Sequence, residues 1–334
     1  MTELNTWHIT TEDVHISIRH AFLDQTLFFF PSMAPLTPEQ QASIPRFFYN
    51  QLTYKPIPVT TPSLHGKTAI VTGSNSGIGL ETCRQLLDLG LSKLILAVRN
   101  ISKGHTAAAE LSAGRNLPEG VIEVWELDLS DYDSILAFTE RCKPLERLDF
   151  VILNAGIAPT THTLNSKTGH ETCIQTNYLS TALLCILLLP ILASKRSIQG
   201  SPSRITFVSS EVSSWTSFKQ RGEVPLLASF NNPEKANMLA TMMVSKLLGQ
   251  FFIFKLAQLV PPSTVLINSA SPATVWDTGF NREMDGTWVG AIVKMVTKLY
   301  AYTSKVGARM IVDAVINHGE EVHGGFLSFQ KLVW

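Results

Sequence analysis

From Lys67 onward, short runs of β-branched and other apolar residues alternate with longer segments in which apolar positions recur at helical spacing. TAIVTG, KLILAVR, VIEVWELDL and LDFVILNAG read as strands a few residues long, apolar enough to be buried on both faces. Each is followed by a helical segment: GIGLETCRQLLDLG, SKGHTAAAELSA, YDSILAFTERC and HETCIQTNYLSTALLCILLL. Two more strands, RITFVSS and TVLINSASP, flank the long helix ANMLATMMVSKLLGQFFIFKLAQL. The helical VGAIVKMVTKLYAYT and SKVGARMIVDAV and a terminal GGFLSF complete the pattern. Such alternation predicts βαβ units, and hence an α/β protein with a doubly wound parallel sheet, a Rossmann fold covered by helices on both faces.

No linker rich in Gly, Ser or Pro divides this pattern, so a single domain is expected over residues 63–334. The two helices near its C-terminus are read as covers over a substrate cleft, which needs the same amphipathic pattern as a membrane-surface helix. Residues 1–62 are proline-punctuated and of mixed polarity, and are expected to form a non-globular N-terminal extension, with Met33 as an alternative translation start. LFFFP at Leu27 to Pro31 is short and late for a signal-peptide core. The longest apolar run, TALLCILLLPILA, contains Pro190 and is short for a bilayer span, so a buried helix is expected and no transmembrane segment.

Composition narrows the classes. An apolar content of 45% over 334 residues supports a sizeable core. Twenty-seven basic residues balance 27 acidic ones with no basic run, which sets nucleic-acid binding aside. Cys83, Cys142, Cys173 and Cys185 show neither C-x-x-C spacing nor a histidine cluster, so neither a metal site nor a disulfide framework is expected, and a reducing, cytoplasmic location fits.

The first candidate chemistry is VTGSNSGIGLE, where Gly73, Gly77 and Gly79 follow a strand and open a helix, with Ser76 and Ile78 between them. Glycines let the backbone turn tightly and approach a pyrophosphate, whose charge is met by free N–H groups at the helix start. The second strand ends in AVRN. An acidic residue there would accept from a ribose 2′-hydroxyl; Arg99 instead suits a 2′-phosphate, with Asn100 and Lys103 beside it, so NADP(H) is the expected cofactor.

Together these motifs resemble the short-chain dehydrogenase/reductase family, over the chain from about Ser63 to the C-terminus. The resemblance assigns Asp128 and Leu129 of ELDLS to adenine contacts, and Asn154, Ala155 and Gly156 of LNAG to the cofactor edge, with Leu153 where a second asparagine is more usual. SKLILAVRNISKG, SKVGARMIVDAV and the long interval between VSS and SK are similar to the retinol-dehydrogenase-like branch found in fungal secondary metabolism. That implies a small apolar metabolite as substrate and allows a homo-oligomer.

The same resemblance implies a catalytic set of Asn177, Ser210 and Lys246, the lysine also holding the nicotinamide ribose; Ser209 is the less suited serine. The position of the family's tyrosine acid, four residues before Lys246 and on the same helical face, is Met242. A thioether has no proton to give. Tyr178, adjacent to Asn177, faces another direction. After the sixth strand the family's Pro-Gly turn over the nicotinamide reads Pro272-Ala273, and alanine strains that turn if it needs positive φ. Glu211 and Asp277 read as loop or capping residues and His170 as a helix-start residue. Three functions stay open: an NADP(H)-dependent oxidoreductase whose proton comes from Ser210, Lys246 and water; a non-redox isomerase or cyclase on the same fold; and a non-catalytic binding protein.

Overall fold

The computed structural model describes residues 37–284 and 288–333; Met33 and Leu27 to Pro31 lie outside them. One eight-stranded sheet runs through the molecule in the order β3-β2-β1-β4-β5-β6-β7-β8. Its strands are β1 (Thr68–Thr72), β2 (Lys93–Val98), β3 (Ile122–Glu126), β4 (Phe150–Leu153), β5 (Ser203–Val208), β6 (Val265–Ala270), β7 (Phe326–Ser328) and β8 (Lys331–Leu332). All neighbours pair in parallel except β7 with β8. The expected doubly wound α/β fold is therefore present. The order in which strands are added to the sheet reverses between β1 and β4, where such folds open a crevice at the carboxyl ends of the strands.

Side chains on successive strand residues point to opposite faces, which divides the core. Ala69, Val71, Leu94 and Leu96 face α3 (Gly77–Asp88), α4 (Ile101–Ser112) and α9 (Ser304–Ile316, which follows α8, Trp288–Tyr300), meeting Leu86, Leu111 and Ile311. Ile70, Ile95 and Ile205 face the other way, onto Phe138 of α5 (Tyr132–Cys142), Leu188 of α6 (Thr172–Gln199) and Ile253 of α7 (Met238–Leu259). The apolar run read as too short for a bilayer span is the middle of a 28-residue helix. By length and composition α6 and α7 could each cross a bilayer, and in this fold each lays one face on the sheet.

Local chemistry sets several helix ends. The side chains of Asn100, Asn237 and Thr303 accept from backbone N–H groups in the first turns of α4, α7 and α9. Glu171, not His170, caps α6, accepting from Cys173 N and Ile174 N. Residues Gln175–Leu179 of α6 form a π-helical turn, a feature common at functional sites. Between β5 and α7 the chain is folded into four short 3-10 turns, Glu211–Trp215, Lys219–Gly222, Leu227–Asn231 and Pro233–Lys235.

The described part of the N-terminal extension is packed on the domain. Its helices α1 (Pro38–Ala42) and α2 (Ile44–Thr53) are short and each has a proline in its first turn; α2 carries Ile44, Phe47, Phe48, Tyr49 and Leu52, an amphipathic stretch hidden in the sequence by the prolines around it. Phe47 is buried against Trp215 and Phe329, with ring centroids 5.0 and 5.7 Å away. Trp215 Nε1 donates to Ala42 O at 3.0 Å, and Tyr302 Oη donates to Tyr54 O at 2.6 Å.

Candidate active site

The loop between β1 and α3 fits a dinucleotide pyrophosphate. Gly73 and Gly77 both have positive φ, 64° and 56°, which glycine adopts without steric cost. A Cβ on Gly79 would lie 2.5 Å from Asn154 Nδ2 and 2.6 Å from Gly73 O, so only glycine allows this approach of helix to loop. Ser76 stands at the N-cap with no side-chain bond to the first turn, leaving those amides to an external anion. Asn154 supports the loop from below, its Nδ2 donating to Thr72 O at 2.8 Å, while Ala155 N donates to Thr72 Oγ1 at 2.9 Å.

Of the residues expected at the adenosine end, Arg99 is exposed and lines a groove of about 370 Å³ with Ile157, Thr161, Phe280 and Glu283. Lys103 is exposed on the first turn of α4. Asn100 uses its Oδ1 to accept from Lys103 N at 2.9 Å, so its side chain shapes the helix start. Asp128 Oδ1 accepts from Ser130 N and Ser130 Oγ, fixing the turn after β3, and Leu129 is buried. Across the groove, Glu283 accepts from Thr160 N at 2.6 Å and Thr160 Oγ1 at 3.0 Å, tying the segment after β4 to the segment after β6.

At the opposite end Lys246, Asn177 and Gly156 come together. A Cβ placed on Gly156 would lie 3.4 Å from Lys246 Nζ and 3.3 Å from Asn177 Oδ1. Lys246 is 5% exposed and donates to Val208 O at 2.8 Å. Burial brings its pKa down to about 8, partly opposed by the Cys173 thiol beside it, which is itself pushed up to about 12 by burial. Asn177 lies in the π-helical turn and clamps Ile157 through both backbone groups, accepting from its N–H at 2.8 Å and donating to its carbonyl at 2.9 Å. Its Nδ2 also reaches Ser245 Oγ at 3.0 Å, and Ser245 donates to Met242 O at 2.7 Å. Ser210 stands two residues after the end of β5 as the N-cap of a 3-10 turn and is partly exposed, whereas the intervening Ser209 is buried.

Nothing in this arrangement restores the tyrosine acid. Met242 stands one helical turn before Lys246 on α7 and is half-buried. Tyr178 packs with Ile174, Phe218 and Phe230, and burial raises its pKa further from use as an acid near neutrality.

The turn after β6 carries Pro272, buried, and Ala273 with φ 57°. The condition for strain is met: alanine occupies the left-handed region at roughly 1 kcal/mol relative to glycine. Asp277 caps α9, accepting from Ser304 N at 2.5 Å. Glu211 is neither cap nor loop filler. Its buried carboxylate accepts from Ser271 Oγ at 2.5 Å and Ser328 Oγ at 2.6 Å, and burial raises its pKa while the two serines oppose the rise. This clamp has no local sequence signal, because its partners are far apart in the chain.

The family signature described as short chain dehydrogenase matches residues 67–222. Fungal relatives share much more of the chain. Short-chain dehydrogenase fogG of Aspergillus ruber is 42% identical over 303 residues, 89% of this chain and 86% of the relative. Short chain dehydrogenase/reductase mfmJ of Annulohypoxylon moriforme is 44% identical over 300 residues, covering 89% and 84%. Among solved structures, levodione reductase superposes with a TM-score of 0.62 at 16% identity, covering 79% of this chain and 96% of its own. The Pseudomonas aeruginosa RhlG/NADP active-site complex gives 0.59 at 20% identity, covering 80% and 98%. The chain belongs to the short-chain dehydrogenase/reductase family, an oxidoreductase family whose fold binds nicotinamide cofactors.

Proposed function

We propose that this chain is an NADP(H)-dependent oxidoreductase of fungal secondary metabolism. It acts on a small apolar metabolite with Ser210, Lys246 and water doing the work usually given to a tyrosine. The observation that carries this reading is the buried Lys246 ammonium, facing the same point above Gly156 as Asn177 and held at a pKa of about 8. A lysine so depressed exchanges its proton near neutral pH, which the ordinary side chain does not.

Arg99 at the end of β2 supports the phosphorylated cofactor, since a guanidinium pairs with a phosphate in bidentate fashion. The relative RhlG, with its NADP complex, is consistent with that choice. When bound, the nicotinamide supplies or accepts a hydride. Ser210 is assigned to hydrogen-bond the substrate oxygen, and Lys246 Nζ, directly or through a water, to give that oxygen its proton and recover one from solvent. Losing a dedicated acid typically slows proton transfer by about two to four orders of magnitude, so slow carbonyl reduction, or reduction of a conjugated C=C or C=N bond, is the expected activity.

Met242 and Ala273 both alter the reacting end of the cofactor site while the glycine loop is intact. That contrast favours one second reading, a non-redox isomerase or cyclase that positions a reactive intermediate in the same cleft. The deciding experiment follows NADPH absorbance and product formation together over a panel of apolar carbonyl, enone and imine substrates. Stoichiometric NADPH consumption supports the oxidoreductase. Product without net cofactor consumption supports the isomerase or cyclase, and neither signal from a cofactor-binding protein overturns both.

A further inference from the structure

We propose that Gln51, on the N-terminal helix α2 outside the alternating α/β pattern, is a positioning residue for the dinucleotide: it holds the Pro272–Thr274 turn in the shape that receives the nicotinamide half. This rests on the cofactor reading above, in which that turn covers the nicotinamide.

Gln51 is 2% exposed, and its primary amide is used on both sides. Oε1 accepts from Thr274 N at 3.0 Å, while Nε2 donates to Thr274 O at 3.4 Å and to Tyr300 O at 3.2 Å. The side chain therefore pairs with Thr274 as a neighbouring strand's peptide would. Glutamate at this position loses both donors, and alanine loses every bond.

The residue before Thr274 is the one that needs holding. Ala273, at φ 57°, lies in a region alanine leaves when free, and strained backbone persists only where its surroundings over-determine it. Restraints act from both sides. Ala273 N donates to Ser271 Oγ at 3.0 Å, Ser271 is gripped by Glu211, and Glu211 directly follows Ser210. On the far side stands Gln51. From below, a Cβ on Gly307 would lie 3.2 Å from Pro272 O and 2.6 Å from Val275 Cγ2, so the turn is already pressed onto α9.

Gln51 is itself fixed. One turn earlier Phe47 is buried among Met310, Phe329 and Trp215, and after the helix Tyr54 O accepts from Tyr302 Oη. A segment the α/β pattern does not include thus reaches the nicotinamide turn through one buried amide.

The test is calorimetric titration of the full-length chain with NADPH and with its adenine half, 2′,5′-ADP, in wild type and in Gln51→Ala, Gln51→Glu and the double variant Gln51→Ala/Ala273→Gly. If wild type prefers NADH, NADH and ADP replace them. Expected is a loss of tenfold or more in NADPH affinity for Gln51→Ala and at least as large a loss for Gln51→Glu, whose carboxylate would face the carbonyl oxygens of Thr274 and Tyr300, with 2′,5′-ADP affinity unchanged within twofold and most of the Gln51→Ala loss recovered when Ala273→Gly removes the strain. Equal losses for both ligands, or no loss for either, overturn the proposal, as does a double variant no better than the single one. Should Gln51→Ala fail to fold, the Gln51→Glu comparison decides by the same criterion. Wild type that binds neither dinucleotide removes the cofactor reading itself, a result separate from any behaviour of Gln51.

Discussion

Lys246 Nζ lies 2.8 Å from the carbonyl oxygen of Val208, two residues before Ser210. Among the described residues this neutral acceptor and the ring of Phe207, its centroid 5.4 Å from Nζ, face the buried ammonium at the strand end that presents the serine. One carbonyl does not replace the hydration the lysine gave up, and its pKa falls to about 8 from an ordinary 10.5. The site holds a charge at a cost in stability, in the position where a proton donor is needed.

That cost is measurable. Because the folded pKa lies below the unfolded one, the unfolded chain binds more protons between about pH 8 and 10.5; the penalty is complete below that window and is relieved as pH rises through it. The gap corresponds to ~3 kcal/mol, from which the lost bond to Val208 O subtracts ~1 kcal/mol in a lysine-free variant. Lys246→Met is expected to melt above wild type at pH 7, with the difference shrinking toward pH 10. A variant that melts at or below wild type at pH 7 removes the argument.

Met242→Tyr returns a phenol to the helical position one turn before Lys246. Reduction of a carbonyl substrate with measurable wild-type turnover is expected to rise by roughly ten- to a thousandfold in kcat. If kcat stays flat while the variant folds and binds NADPH, the missing acid is not what limits the enzyme. In wild type, reduction is expected to fall as pH rises through about 8, where Lys246 gives up its proton.

Ala273→Gly relieves a φ of 57° but adds freedom to the unfolded chain. The two effects leave a net gain of roughly 0.5 kcal/mol and a small rise in melting temperature. Thermal unfolding decides, and a clear drop shows that the alanine methyl, packed beside Phe47 and Met310, contributes more than the strain removes.

Glu211→Ala leaves the hydroxyls of Ser271 and Ser328 buried without an acceptor. A loss of about 2–4 kcal/mol in unfolding free energy is expected, read from denaturant titration. Glu211→Gln keeps one acceptor oxygen and is expected to lose less than half as much. Equal losses in the two variants would mean that packing volume, not hydrogen bonding, is what the residue supplies.

Arg99→Ala removes the cation expected to meet a 2′-phosphate. NADPH affinity is expected to fall by ten- to a hundredfold, as for a charge-assisted hydrogen bond of about 1.5–3 kcal/mol, with NADH affinity changed by less than threefold. Parallel titrations with both cofactors check this, and an equal fall for both would assign Arg99 to groove shape instead.

What the sequence determined by itself was local or periodic. Strand and helix periods, the glycine loop after β1 and the Ser-Lys pair on α7 are each legible within a dozen residues, because backbone conformation and helical spacing act at short range. The position of Met242 is of the same kind, a matter of counting back one turn from Lys246. Only the tertiary structure decided what distant segments do to one another. Gln51 meets Thr274 across 223 residues, and Ser328 meets Glu211 across 117, so neither pairing leaves a period or a spacing to read. Gly156, Asn177 and Lys246 converge because the loop after β4, the π-helical turn of α6 and one face of α7 meet beyond the carboxyl end of a central strand. That convergence is set by how the helices bury their apolar faces, and a buried lysine acquires its lowered pKa only once that burial exists.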